Sequence, residues 1–267
     1  MNRFIQLSGL LLATISLQAS AHELWAAAEH IHSGEKLQAA IGYGHFPKQE
    51  PIVQDRLHIF KAMQLVGKNG TQTLQQQGQN YQYVSKKPID EGSYLVLATY
   101  QPTFWSENQQ GWKQQSLRQM PDAHYCEQSA MYGKAVLNVG HGVTDNGVIS
   151  RPVGQMLEIV PLVNPASVHV GEKMPVQVLF KGEPLSGATV VATFDGFSAR
   201  DPHDKSHALG AQAFSDQTDA KGVVSIIPLR EGDWKAKVIH KTDYPQQQEC
   251  QKLAAYATLT FQIGSAH

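Results

Sequence analysis

Short runs of Val, Ile, Leu, Tyr and Thr, broken by Gly, Pro, Asn and Asp, recur along almost the whole chain after residue 21. Runs of this length between turn formers predict β-strands. The pattern predicts strands at residues 36–42, 57–65, 93–100, 155–162, 168–170, 175–180, 189–194, 222–228, 234–239 and 257–263. Helical periodicity shows only weakly, near residues 123–137. Residues 101–124, rich in Gln, Trp, Ser and Lys, read as a long loop, and the Gln-rich stretch 75–82 as an exposed turn or strand edge. The fold class expected is all-β.

Turn chemistry divides the chain. Gly, Asn, Asp and Pro concentrate over residues 140–152, and beyond them the strand pattern sharpens. The expected organisation is a leader over 1–21, a β-rich unit over 22–150 and an immunoglobulin-like β-sandwich over 151–267. The stretches GEPLSGATV (182–190) and TDAKGVVSIIPLREGDWKAKVIH (218–240) resemble the seven-stranded Ig-like or transthyretin-like modules of exported proteins. Those modules place glycine where a turn needs positive φ. The likeness covers about residues 165–265 and says little about activity; for the chain as a whole, two Ig-like β-sandwich domains are expected.

The first 21 residues predict export. Asn2 and Arg3 form a short n-region, residues 7–17 an apolar stretch, and Ala19-Ser20-Ala21 a small-residue cleavage site. The stretch is too short to span a bilayer, and no later segment approaches about 18 consecutive apolar residues. Cleavage would leave His22 first in a periplasmic protein. The cysteines, Cys126 and Cys250, suit that compartment, where either a bridge or two separate thiols would be compatible with the sequence.

Charge removes some classes of partner. The formal net charge is −1, with acids and bases interspersed, which gives no electrostatic case for nucleic acid or an anionic membrane surface, since either would need a basic face. Nucleophile-elbow, phosphate-loop, zincin and paired-cysteine motifs are missing, so no enzyme class is expected from motif.

Histidine is the unusual component, twelve in all. Freed by cleavage, His22 would offer an α-amine and ring Nδ1 that close a six-membered chelate on one metal ion. Nitrogen donors of this kind suit Ni(II), Cu(II) and Zn(II). His45, in Gly42-Tyr43-Gly44-His45-Phe46-Pro47, is a second candidate, because the flanking glycines permit a sharp backbone path. His240, at the end of the 234–239 strand, is a third. His203 and His207 lie with two aspartates in a polar insertion and could collect a metal or be a solvated loop. His30 and His32 would share one face of a strand, but Ser33-Gly34 after them suggests an exposed turn.

Together these features resemble the periplasmic nickel- and cobalt-uptake accessory family (NikM/NikK-like). The matching residues are Ala21-His22-Glu23-Leu24-Trp25, Gly42-Tyr43-Gly44-His45-Phe46-Pro47, Gly111-Trp112, Tyr132-Gly133-Lys134-Ala135, the Gly232–His240 segment and Tyr256-Ala257-Thr258-Leu259-Thr260-Phe261. The resemblance implies binding of nickel, with cobalt, copper or zinc as alternatives, and an inner-membrane metal transporter as partner. It also implies one site built from His22, His45 and His240; His203 and His207 map to no motif of the family. Two other readings stay open: a copper enzyme using a two-histidine brace, with Trp105 and Trp112 exposed to a polymer, and an Ig-like adhesion or carbohydrate-binding module.

Overall fold

A computed structural model describes residues 22–79, 81–140, 145–197 and 212–264. In the first part of the chain the strands are β1 Glu23–Ala28, β2 Gln38–His45, β3 Lys48–Gln49, β4 Gln64–Gly67, β5 Gly70–Thr73, β6 Gln75–Gln76, β7 Gln82–Val84, β8 Gly92–Asn108, β9 Gly111–Lys113 and β10 Tyr125–Val139. After a single helical turn, α1 Asn146–Ile149, come β11 Leu157–Pro161, β12 Met174–Phe180, β13 Glu183–Pro184, β14 Thr189–Phe194, β15 Phe214–Gln217, β16 Val223–Ile226, β17 Gly232–Asp243 and β18 Lys252–Ile263.

These strands form three sheets. A nine-stranded sheet runs β15-β14-β17-β18-β10-β8-β4-β5, with β9 on β8, and so draws strands from both sides of the 140–152 segment. The join is the parallel pair β10–β18. A five-stranded sheet (β1-β2-β7-β6, with β3 on β2) covers part of one face, and a four-stranded sheet (β11-β12-β13, with β16 on β12) covers part of the other. Two β-sandwiches therefore share one central sheet. In the second, β11, β12 and β16 face β15, β14, β17 and β18, an Ig-like arrangement in which the fourth strand has joined the third.

Side-chain alternation explains the two cores. On β10, Ala130 and Tyr132 point into a core with Leu157, Val176, Trp234 and Leu259. Ala135, Leu137 and Val139 point the other way, against Leu24, Ile41, Val96 and Tyr100. A strand buried on both faces loses its polar–apolar alternation, which is why 123–137 mimics a helix in the sequence. Residues 57–65 differ from expectation too: Gln54–Ile59 is a 3-10 helix, and the strand begins at Gln64. The expected loop at 101–124 is partly strand, with β8 running on to Asn108 and β9 pairing with it. Residues 168–170 are not a strand; they follow a 3-10 turn, Pro165–Ser167, whose cap Asn164 accepts from Ala166 N–H.

Three features fix the central sheet. Cys126 and Cys250 are bridged, with Cα atoms 5.1 Å apart, one residue before Glu127 and two before Lys252, the first β10–β18 partners. The closed loop, 124 residues in separation, makes the bridge worth about 5 kcal/mol on a chain-entropy model. Lys134 and Glu158 form an ion pair 1% and 2% exposed. Lys134 also donates to Ile159 C=O (3.0 Å), while Glu158 accepts from Val153 and Gly154 N–H. The fully buried Asn164 exchanges amide hydrogen bonds with Asn138 and receives one at its own oxygen in return (2.8 and 3.0 Å), holding the stretch after β11 against β10.

Candidate functional site

β1 is the strand that carries His22 into the molecule. It crosses the central sheet where β10 has Gly133; a Cβ there would stand 2.7 Å from Ala26 N. Thr258 and Thr260 of β18 donate their hydroxyls to Leu24 and Ala26 C=O (2.7 and 2.6 Å), occupying the edge that β2 does not. On its other edge β1 pairs with β2 in the register Glu23↔Gly44. That register places His22 beside His45, at the open end of the pair.

The hairpin β2–β3 then returns the chain to the same place. Gly44 has φ +131, and a Cβ on it would meet Glu50 Cγ at 2.9 Å. The turn holds a cis Phe46–Pro47 peptide, and Glu50 N–H donates to Tyr43 C=O at 2.7 Å. Gly42 has a different duty: a Cβ would lie within the indole of Trp25, 2.0 Å from the nearest ring atom.

Three side chains meet there. Glu50 Oε2 lies 2.8 Å from His22 Nε2, and Glu50 Oε1 lies 2.9 Å from His45 Nδ1. The two imidazole centroids are 5.7 Å apart, and the His22 ring stacks on Tyr43 at 5.0 Å. Hydrogen bonds from His45 and then His22 hold the Glu50 carboxyl below its ordinary range. Burial raises the Tyr43 phenol. Glu50 was not anticipated as part of the site; its only sequence signal is its place five residues beyond His45 in a glycine-bounded turn.

Beneath them sits a second charged group, also unforeseen. Glu23 is buried between Lys235, whose ammonium bonds Oε1, and Lys237, 3.0 Å from Oε2. Glu23 Oε1 also accepts from Phe46 N–H at 3.3 Å. Burial pushes the Glu23 carboxyl up, but the two ammonium groups outweigh it and hold the pKa below the usual value. Burial, against the pull of Glu23, takes Lys235 down to about 8.

The other candidate histidines lie elsewhere. β17 does not end at His240 but continues to Asp243. Lys235 and Lys237 face β1, so alternation turns His240 to the opposite face with Trp234, Ala236 and Val238. There its ring packs 4.5 Å from Phe180, and burial lowers its pKa. A site shared by His22, His45 and His240 is therefore not assembled, because the sheet stands between them. His30 and His32 follow β1 as an edge-to-face pair at 5.3 Å. With Trp25, Phe46, Asp195 and Asp233 they border a cavity of about 580 Å³. His203 and His207 lie outside the described residues. Among the described residues no group of three or more His, Cys, Asp or Glu side chains is arranged to hold a metal, and no helix is long and apolar enough to cross a membrane.

Fold and site together define an all-β double sandwich with a histidine–carboxylate cluster at the head of its first strand. Over residues 19–242 the chain matches the family described as "Domain of unknown function (DUF4198)", and it belongs to that family. No curated protein matches it. Among solved structures it is similar to the "D0-D1 domain of Intimin", at 11% identity over 91% of this chain and 98% of that one, with a TM-score of 0.24. The "D00-D0 domain of Intimin" matches at 13% identity over 89% and 98%, with a TM-score of 0.18. Scores this low leave the fold to rest on the sheets described above.

Proposed function

We propose that the protein is a periplasmic transition-metal-binding protein that takes up nickel or cobalt at its processed amino terminus and passes it to an inner-membrane transporter. The observation that carries this reading is the grip of Glu50 on His22 Nε2 and His45 Nδ1. Imidazoles that bind metals commonly have the second ring nitrogen held by a carboxylate, which fixes ring orientation and basicity. With Nε2 of His22 engaged, the chelate falls to Nδ1, the nitrogen that closes a ring with the α-amine. His45 is held by the same carboxylate and is the second imidazole within reach. Three nitrogen donors suit Ni(II) and Cu(II) better than harder ions.

A titration of protein processed before His22 with Ni(II) tests the reading. His45→Ala should weaken binding at least tenfold, and His240→Ala should leave it unchanged. Equal affinity for wild type and His45→Ala would contradict it.

One observation favours a second reading. With His240 on the other face, the cluster has an amino-terminal histidine and one partner, the donor set of a two-histidine copper brace. Turnover of copper-loaded protein with an added reductant would support that enzyme; tight binding without turnover would leave metal carriage.

A further inference from the structure

We propose that Glu23, Lys235 and Lys237 are positioning residues for the His22–His45 metal site, an inference that rests on the metal-binding reading above. Glu23 is the chain neighbour of His22, and Phe46 is the chain neighbour of His45. The Glu23 carboxylate holds both: its own backbone is fixed in β1, and its Oε1 accepts the Phe46 N–H at 3.3 Å. The same carboxylate is tied by Lys235 and Lys237 to β17, more than 200 residues along the chain. The Lys235 ammonium also lies 5.0 Å from the Phe46 ring centroid, over the turn that presents His45.

Glu23 does not itself reach the metal position. Consecutive residues of a strand point to opposite faces, so the Glu23 carboxylate turns toward β17 while His22 turns toward Tyr43 and Glu50. It acts through the main chain on either side. Nor does stability account for the arrangement well. One carboxylate between two ammonium groups leaves a net positive charge buried, and buried ion pairs add little that well-packed apolar side chains would not. What the cluster does supply is a single fixed point between two ligand-bearing segments. A similar role is seen for outer carboxylates at metal sites, where losing one weakens affinity ~10–100-fold.

The test uses the full, processed protein with Cu(II) and Ni(II) as probes. Glu23→Gln keeps an acceptor for Phe46 N–H and removes the charge; Lys237→Met is milder, leaving the Glu23–Lys235 pair intact. Lys134→Met, at the buried pair on the far face of the sheet, is the control for lost stability. Glu23→Gln should weaken metal affinity by at least tenfold and change the Cu(II) paramagnetic resonance spectrum. Lys237→Met should do the same to a smaller degree, with Lys237→Arg restoring both, and Lys134→Met should change neither. Wild-type affinity and an unaltered spectrum in folded Glu23→Gln and Lys237→Met would overturn the proposal. Nitrogen-15 spectra of the histidine rings in metal-free protein separate the two levels. If wild type binds no metal, the metal reading fails, yet the His22 and His45 signals still decide positioning: they must move in Glu23→Gln and Lys237→Met, and unmoved signals overturn it.

Discussion

The molecule buries lysine ammonium groups in two places, and the surroundings differ. On one face of the central sheet, Lys134 meets Glu158 one to one, and each partner has further main-chain bonds: Lys134 to a carbonyl, Glu158 to two N–H groups. On the other face, Glu23 is shared by Lys235 and Lys237, and its one main-chain bond goes to Phe46, in the turn that carries His45. The first pair is closed on itself and pins the segment entering β11. The second is uneven in charge and reaches toward the histidines. A self-contained buried pair is a structural fastening; one whose spare bonds lead to a cluster of imidazoles is placed to serve that cluster.

Substitutions can break this contrast. Lys134→Met leaves the Glu158 carboxylate buried without its cation and should cost about 3–5 kcal/mol, lowering Tm by roughly 10 °C; calorimetry checks it, and metal affinity should hold. Opening the Cys126–Cys250 bridge by Cys→Ser at both positions should cost about 2–5 kcal/mol, read from denaturant unfolding, since it frees the two strands that join the sandwiches. Gly42→Val places branched carbons where the Trp25 indole lies and should cost about 1–3 kcal/mol from overpacking, with a change in near-ultraviolet circular dichroism reporting the displaced ring.

The smallest effect is in pH. The folded pKa of Lys235 is about 8, below its ordinary value of 10.5. Between those values the folded protein holds fewer protons than the unfolded chain, so stability contributed by this group rises with pH across that window. Relative to Lys235→Met, wild type should therefore gain stability from pH 8 to about 10, measured by unfolding at each pH. A relative loss across that range would contradict the burial of a strained ammonium.

Much of the fold was legible because turn chemistry is local. Thr189–Phe194 has the bounds that the sequence predicts; Gly182 and Gly187 take positive φ in the turns that lead to it, and Gly222 does so in the turn before Val223–Ile226. What stayed hidden depends on distant neighbours. β10 conceals its period by being covered on both faces. The continuation of β8 through residues 101–108 is masked by polar side chains that are buried all the same, Thr103, Ser106 and Asn108 among them, with Ser106 donating to Gln115 C=O and Asn108 to Asp122.

The candidate site divides along the same line. His22 and His45 stood out from a cleavage motif and a glycine-flanked turn. Glu50 carried no such mark. Lys235 and Lys237 carried no mark either, because the carboxylate that gives them meaning, Glu23, lies 212 residues from Lys235. His240 was misjudged because β17 continues past it, so alternation rather than a strand end sets its direction.

The measurement that bears most directly on the central claim is native mass spectrometry of the exported protein, alone and with Ni(II) added. A chain beginning at His22 that retains one nickel ion, and loses it in His45→Ala, is the result the account predicts. A different amino terminus, or a His22 terminus that retains no metal, would contradict it.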